Sequence, residues 1–159
     1  MSIDPGHTGQ RLLQIRAEGR GALAGFLHVG YPTVDISLRA IKALTGEGES
    51  EGVDLVEVGM PYSDPVMDGM TIQRAGTKAL DRGVRTRDAF AAVEAVASRD
   101  TPAVVMTYWN LIEHYGADRF ARDLASAGGA GAITPDLTPD EAGEWFAVSD
   151  DHELDRIFL

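Results

Sequence analysis

Three carboxylates lie within twelve residues of this sequence, where a short apolar run gives way to a loop. Glu57 interrupts the run 55–58, and Asp64 and Asp68 follow on a stretch that contains two prolines and ends at Gly69. A carboxylate near the end of a buried strand costs several kcal/mol unless it is paired, hydrogen-bonded or protonated. Three acids in this arrangement therefore indicate a site.

Each of these acids also has a structural interpretation. An apolar surround favours the protonated form of a carboxyl group, so Glu57 could act as a general acid or base. It could equally bind neighbouring loop N–H groups. Asp68 could accept a hydrogen bond from a substrate N–H or take up a proton, although an aspartate before glycine is more typical of an Asx turn. Asp64 precedes Pro65 and is first of all a turn former.

Two aromatic residues follow a later apolar run. Tyr108 and Trp109 could line an aromatic substrate pocket, although an aromatic residue at a strand end more often belongs to the core. Asn110 is ambiguous in the same way. The sequence contains no Walker-type phosphate loop, no GxGxxG and no Ser-His-Asp grouping, and a Rossmann fold therefore loses its best support.

The composition excludes several classes of site. The sequence has no cysteine, which excludes disulfides, thiolate zinc sites and cysteine nucleophiles. Its four histidines lack the spacing of a metal cluster, so neither a metal nor a cofactor is predicted. The net charge of -11 argues against nucleic acid as a partner. Without a signal sequence or a membrane-length apolar run, we expect a cytoplasmic protein that does not bind membranes.

The elements that would position these residues alternate between strand and helix. Apolar runs predict strands over 21–29, 55–58, 103–108 and 132–134, with a fifth opening at 156–159. Helical spacing predicts helices over 11–18, 33–44, 71–81, 86–98, 116–127 and 138–148. We expect residues 1–10 to be frayed and residues 45–52 to form an acidic surface loop. This alternation implies a parallel sheet with right-handed crossovers. Barrels and doubly wound sheets both place sites at strand C-termini, and periodicity alone does not separate them.

Four blocks of the sequence resemble the family of tryptophan synthase α subunits. They are GYPT at 30–33, VEVGMPYSDPVMDG at 56–69 followed by TIQ at 71–73, MTYWN at 106–110, and ITPDL at 133–137. The second block is highly specific, because an acid, Gly-x-Pro-Tyr-Ser-Asp-Pro and Asp-Gly rarely occur together by chance.

The resemblance implies a TIM (β/α)8 barrel that cleaves indole-3-glycerol phosphate to indole and glyceraldehyde 3-phosphate in tryptophan biosynthesis. It gives Glu57 the role of the general acid/base that protonates the indole ring carbon, and Asp68 the role of engaging the indole N–H. Tyr108 and Phe26 would line the substrate pocket. Protonation at carbon weakens the carbon–carbon bond, and a carboxylate on the N–H stabilises the positive charge that develops.

The resemblance also implies a partner. The loop Pro61, Tyr62, Ser63, Asp64 and Pro65 would face a tryptophan synthase β subunit, which receives indole through a tunnel in an α2β2 assembly.

Some features depart from the family pattern. Met70 stands where the family commonly has proline, and residues 46–50 look like a short insertion. His28 and Val29 are unusual residues for the family at the two positions before Gly30. A complete barrel of this kind takes roughly 250 residues. The 159 residues therefore predict one partial barrel domain, with an N-terminal extension and short helix (1–20) and about four βα units plus the start of a fifth strand (21–159).

The later βα units of the barrel, which this sequence does not contain, are expected to be needed for activity. The family's phosphate-binding glycines and mobile lid belong to later loops, so we expect this chain alone to have little activity. The alternative is a non-catalytic half barrel that binds a β subunit or self-associates through exposed strand edges.

Overall fold

The computed structural model describes residues 4–46 and 50–159. In these residues the elements are α1 (Gly6–Ala17), β1 (Ala24–His28), α2 (Val34–Ala43), β2 (Leu55–Gly59), α3 (Met70–Asp81), α4 (Thr86–Ala97), β3 (Ala103–Met106), α5 (Trp109–Tyr115), α6 (Ala117–Ser126), β4 (Gly131–Thr134), α7 (Gly143–Asp151) and β5 (Asp155–Phe158). Part of the predicted frayed segment (1–3) and part of the predicted acidic loop and insertion (47–49) lie outside the described residues.

The strands form one parallel sheet in the order β1-β2-β3-β4-β5. In a doubly wound sheet the strand order reverses at a switch point. Here each strand is added beside the preceding one without reversal, which is the order of a barrel segment. The helices α2, α4, α6 and α7 pack beside one another in the same sequence. The predicted α/β class with a parallel sheet is therefore confirmed, and the order decides between the two architectures.

The two faces of the sheet differ, and this difference explains the position of Glu57. Val56 and Val58 are fully buried in the large core that the sheet forms with the helices. Because side chains alternate along a strand, Glu57 lies on the opposite face. There it is paired in register with Phe26 on β1 and with Val104 on β3. The carboxylate therefore avoids the helix-side core altogether.

The start of α1 differs from the sequence prediction. Residues from Gly6 onwards are helical rather than frayed. The backbone N–H groups of His7 and Thr8 donate to the Asp155 carboxylate over 3.0 and 2.6 Å, and the Thr8 hydroxyl donates over 2.6 Å. These bonds satisfy donors that a helix N-terminus leaves free, and they fasten α1 to β5.

Two other boundaries were predicted wrongly. Trp109–Tyr115 forms the helix α5 instead of a loop, and Asp136 accepts a hydrogen bond from the Trp109 N–H over 2.9 Å. The helix predicted from Thr138 begins only at Gly143. Thr138 instead forms a separate turn, in which its carbonyl accepts from the Glu141 N–H over 3.0 Å and its hydroxyl lies 3.1 Å from the Glu141 carboxylate.

Asp54 joins three segments at the N-terminal end of the sheet. Its carboxylate, only 6% exposed, accepts hydrogen bonds from Arg11 at 2.7 Å, from Arg20 at 2.7 Å through two nitrogens, and from the Leu23 N–H at 3.0 Å. The hydrogen bond from Arg20, followed by that from Leu23, holds the pKa of Asp54 well below its ordinary value. Asp54 therefore stabilises the fold in its charged form.

We expect Asp54→Ala to lower the free energy of unfolding at pH 7 by about 1–3 kcal/mol, because it leaves the Leu23 N–H and two guanidinium groups without their acceptor. A carboxyl whose pKa is depressed by folding contributes stability above its unfolded pKa and loses that contribution as pH falls through the folded pKa. The difference in the free energy of unfolding between Asp54→Ala and the unchanged chain should therefore shrink below about pH 4. Urea denaturation monitored by circular dichroism measures both effects.

The matched control is Asp35→Ala. Asp35 pairs with Arg39 at 3.3 Å on the surface of α2, with both side chains exposed. We expect a change below about 0.5 kcal/mol. Equal losses for the two variants would contradict the role assigned to Asp54.

Within the described ranges no helix is long and apolar enough to cross a membrane. In the same ranges, no group of three or more histidine, aspartate or glutamate side chains is arranged to hold a metal ion.

Candidate active site at the carboxyl ends of the strands

A small cavity lies where β1, β2 and β3 end. Its lining consists of Phe26, His28, Gly59, Met60, Asp68, Met106, Thr107, Tyr108 and Pro135. Its volume is about 10 Å³, which is just enough for one water molecule. Two larger cavities of about 600 and 590 Å³ lie beside α1 at the opposite end of the sheet. In barrels that end contributes to stability, whereas active sites occupy the C-terminal end.

The cavity brings together three of the four predicted substrate and catalytic residues. Phe26 comes from β1, Asp68 from the loop after β2, and Tyr108 from the end of β3. Glu57 is not part of the lining. It lies two residues before Gly59 on the same face of β2, in register with Phe26. Glu57 is thus at the same level of the sheet as Phe26, one of the lining residues.

The hydrogen bonds separate the interpretations left open for the two acids. Glu57 and Asp68 are both half-buried. In residues 4–46 and 50–159 neither carboxylate accepts a hydrogen bond from the protein, and the bond from Gln73 at 2.8 Å goes to the Asp68 main-chain carbonyl. Glu57 therefore does not bind the loop N–H groups, and Asp68 does not form an Asx turn. Both carboxylates are available to a ligand.

The other two acids have structural partners. Asp64 is exposed and accepts a hydrogen bond from the Ser63 hydroxyl over 2.6 Å within the loop. Asp136 follows β4 and caps the first turn of α5. Neither carboxylate lines the cavity.

Tyr108 connects the cavity to the loop 61–69. Its hydroxyl accepts a hydrogen bond from the Met67 N–H over 2.9 Å, and its ring lies 4.8 Å from that of Tyr62. Tyr108 therefore contributes to the cavity wall and also supports the loop that carries Asp68. Since the cavity has room for only about one water, a bicyclic ligand does not fit it unless the lining moves.

His28 is a residue of this site that sequence reasoning did not assign to it. The side chain is only 8% exposed, and its Nδ1 is buried with no hydrogen-bond partner in the described part of the chain. Burial lowers the pKa of His28 below its ordinary value, and the negative charge of Asp68 opposes that shift. The signal that could have found it is its spacing of two residues from Phe26, which puts both side chains on one face of β1.

Gly59 makes room for these two rings. The Phe26 and His28 ring centroids are 5.4 Å apart. A Cβ atom on Gly59 would lie 2.6 Å from the Phe26 ring and 3.0 Å from the His28 ring. The glycine thus allows both rings to approach the backbone of β2 at the cavity floor.

Comparison with known proteins identifies the family. The model of the family described as "Tryptophan synthase alpha chain" matches residues 12–159. The chain belongs to the tryptophan synthase alpha chain family. This confirms the family indicated by the four sequence blocks.

The similarity to individual alpha chains extends over almost the whole sequence. The chain is 60% identical to the tryptophan synthase alpha chain of Mycobacterium marinum over 144 residues, which are 91% of this chain and 52% of the relative. It is 51% identical to that of Bifidobacterium longum over 159 residues, covering 100% of this chain and 53% of the relative. The chain thus spans about half the length of the curated relatives it matches.

Solved structures share the fold. The ligand-free form of a Mycobacterium tuberculosis tryptophan synthase that carries a point mutation in its alpha chain superimposes with a TM-score of 0.91 at 56% identity, covering 96% of this chain and 60% of that chain. The tryptophan synthase complex from Pyrococcus furiosus gives a TM-score of 0.77 at 31% identity, covering 86% and 55%. The five-stranded sheet is therefore part of an alpha-chain TIM barrel, as predicted.

Proposed function

We propose that this chain supplies the acid/base part of a site that cleaves indole-3-glycerol phosphate to indole and glyceraldehyde 3-phosphate. The observation that carries the proposal is the pair of carboxylates, Glu57 and Asp68, that remain free of protein hydrogen bonds in the described residues at the C-terminal end of the sheet. Family membership supports it. Since the relatives are about twice as long, the complete reaction belongs to the whole protein, and residues 1–159 alone should turn over slowly.

The proposed reaction uses the two acids in different roles. Glu57 in its acid form donates a proton to the indole ring carbon that bears the glycerol chain, and the ring becomes cationic. The carbon–carbon bond then breaks and its electron pair returns to the ring, releasing indole. The adjacent hydroxyl becomes the aldehyde of glyceraldehyde 3-phosphate and loses its proton, which the Glu57 carboxylate can accept. Asp68 accepts a hydrogen bond from the ring N–H and stabilises the positive charge.

The proposed ring-binding walls are Phe26 and Tyr108, which line the same cavity as Asp68. Aromatic walls provide a large contact area for a planar ring. The loop 61–69 would open to admit it, because this loop covers Tyr108 through the contacts of Met67 and Tyr62.

The proposed partner is a tryptophan synthase β subunit, bound at the loop Pro61–Pro65 in an α2β2 assembly. Directly after this loop the apolar side chains of Val66 and Met67 are 80% and 60% exposed. Adjacent apolar side chains in water favour burial against a second protein.

Asp68→Asn tests the proposed ligand contact. The substitution keeps the side-chain size but removes the charge, and a hydrogen bond to a charged group contributes about 1.5–3 kcal/mol. We therefore expect indole to bind about 10- to 100-fold more weakly at pH 8, as measured by isothermal titration calorimetry. Asp81→Asn, at the exposed end of α3, is the matched control and should bind as the unchanged chain does. Unaltered affinity in Asp68→Asn would rule out the proposed contact.

A further inference from the structure

His28 is a buried ionisable group that the proposed reaction does not use. It lines the cavity with Asp68 and Tyr108. Its imidazole lies beside the Phe26 ring and over Gly59, and its Cε1 atom is 3.5 Å from the position of a Cβ on Gly76 in α3. Since its Nδ1 atom has no partner in the described residues, the ring is held by packing rather than by hydrogen bonds.

Asp68 is the charged group that His28 faces within the cavity. The remaining cavity residues include no Asp, Glu, Lys or Arg, and Glu57 on β2, in register with Phe26, is not part of the lining. The helices α2 and α3, which pack against β1, contribute only charged side chains that are exposed: Asp35, Arg39, Lys42, Arg74, Lys78 and Asp81. Of these, the Lys78 ammonium group lies 5.9 Å from the Tyr31 ring centroid.

We propose that His28 is a positioning residue that controls, through Asp68, whether the pocket accepts an indole ring. With the imidazole neutral, the Asp68 carboxylate is free to accept the ring N–H. When the imidazolium forms, its positive charge pairs with Asp68 and competes with the ligand. The inference rests on the proposed function, because it assumes that Asp68 is the acceptor of the indole N–H.

The cavity makes this competition effective. His28 and Asp68 both line the cavity, and because the imidazole is buried, a positive charge on it is screened less by water than a charge on the surface is. The direction of the pH effect follows from the environment of His28. Burial disfavours its charged form, so the competing imidazolium appears only as pH falls below the ordinary histidine value of about 6.5. The affinity for indole therefore has its highest value above that pH, where the imidazole is neutral, and decreases below it.

The test is a pH series of indole binding to the purified chain by isothermal titration calorimetry at pH 8, 7, 6 and 5. The series stops at pH 5 so that it stays above the ordinary pKa range of carboxyl groups. We expect affinity to fall several-fold between pH 8 and pH 5. In His28→Asn, which keeps a polar side chain but cannot become a cation, affinity should stay constant over the same range. His114→Asn, on the exposed surface of α5, is the matched control and should retain the pH dependence.

The outcomes separate this inference from the proposed function. Absence of indole binding at pH 8 would overturn both. Binding that stays constant from pH 8 to pH 5 in the unchanged chain, or a decrease that persists in His28→Asn, would overturn the role of His28 alone.

A second measurement covers the case in which His28→Asn does not fold. The chain has a mass of 17.0 kDa, so NMR can follow the titration of the His28 ring directly. Removal of the facing negative charge in Asp68→Asn should lower the pKa of His28 further, because the Asp68 charge opposes the lowering of that pKa by burial. An unchanged His28 titration would overturn the proposal.

Discussion

Replacing Glu57 by glutamine is expected to slow indole release from indole-3-glycerol phosphate by about 10²- to 10⁴-fold, the usual contribution of a positioned general acid or base. The suitable parent is a hybrid that joins residues 1–159 to the C-terminal part of the Mycobacterium marinum alpha chain, which is 60% identical to this chain over 144 residues. Glutamine keeps the shape of the side chain but cannot donate the acidic proton. Steady-state assays of indole formation measure the loss.

The loss should lie in kcat and leave KM nearly unchanged, because the proposed interaction of Glu57 develops only in the transition state. Glu94→Gln makes the same chemical change on the exposed side of α4 and should leave turnover as in the parent hybrid. A Glu57→Gln hybrid that retains more than about a tenth of the parent turnover would contradict the assignment of Glu57 as general acid/base.

Sequence patterns predicted the element types well because those patterns are local. The apolar run 55–58 identified β2 even though Glu57 interrupts it. The same patterns could not decide between a barrel and a doubly wound sheet, since both contain alternating strands and helices. That decision depends on the strand order, which is a property of the whole sheet.

The elements that were predicted wrongly depend on distant residues. The start of α1 is fixed by Asp155, which is 148 residues away from His7 in the sequence. The start of α5 is fixed by Asp136, 27 residues after Trp109. A window of local sequence contains neither acceptor, so α1 looked frayed at its start and α5 looked like a loop.

For the candidate site, too, the local sequence indicated some features, and others became visible only in the structure. The types and spacing of Glu57 and Asp68 indicated a site but left a structural explanation open for each acid. Neither carboxylate has a protein donor in the described residues, which removes the structural explanations, and the catalytic roles are what we propose. His28 was noticed only as an unusual residue before Gly30. The role that we propose for it depends on Asp68, which belongs to a loop that follows a different strand and lines the same cavity.

Trp145→Ala is expected to cause the largest loss of stability among the changes considered. Trp145 is fully buried in α7 and packs against the rings of Trp109 and Phe120, at centroid distances of 6.1 and 6.3 Å. Removing a buried aromatic side chain of this size lowers the free energy of unfolding by about 3–5 kcal/mol. Urea denaturation monitored by circular dichroism measures the change. Because Trp109 directly follows Tyr108, loosening of α5 should also weaken indole binding.

Trp145→Phe separates packing from the polar atom in the same side chain. The indole Nε1 of Trp145 is buried without a hydrogen-bond partner in the described residues, and an unpaired buried donor is destabilising by about 1–3 kcal/mol. Phenylalanine loses part of the apolar contact but removes this donor, so the two effects oppose each other. We therefore expect a loss below about 2 kcal/mol, much smaller than that of alanine. Equal losses for the two variants would show that the bicyclic shape of the ring, and not its general bulk, holds α7 against α5 and α6.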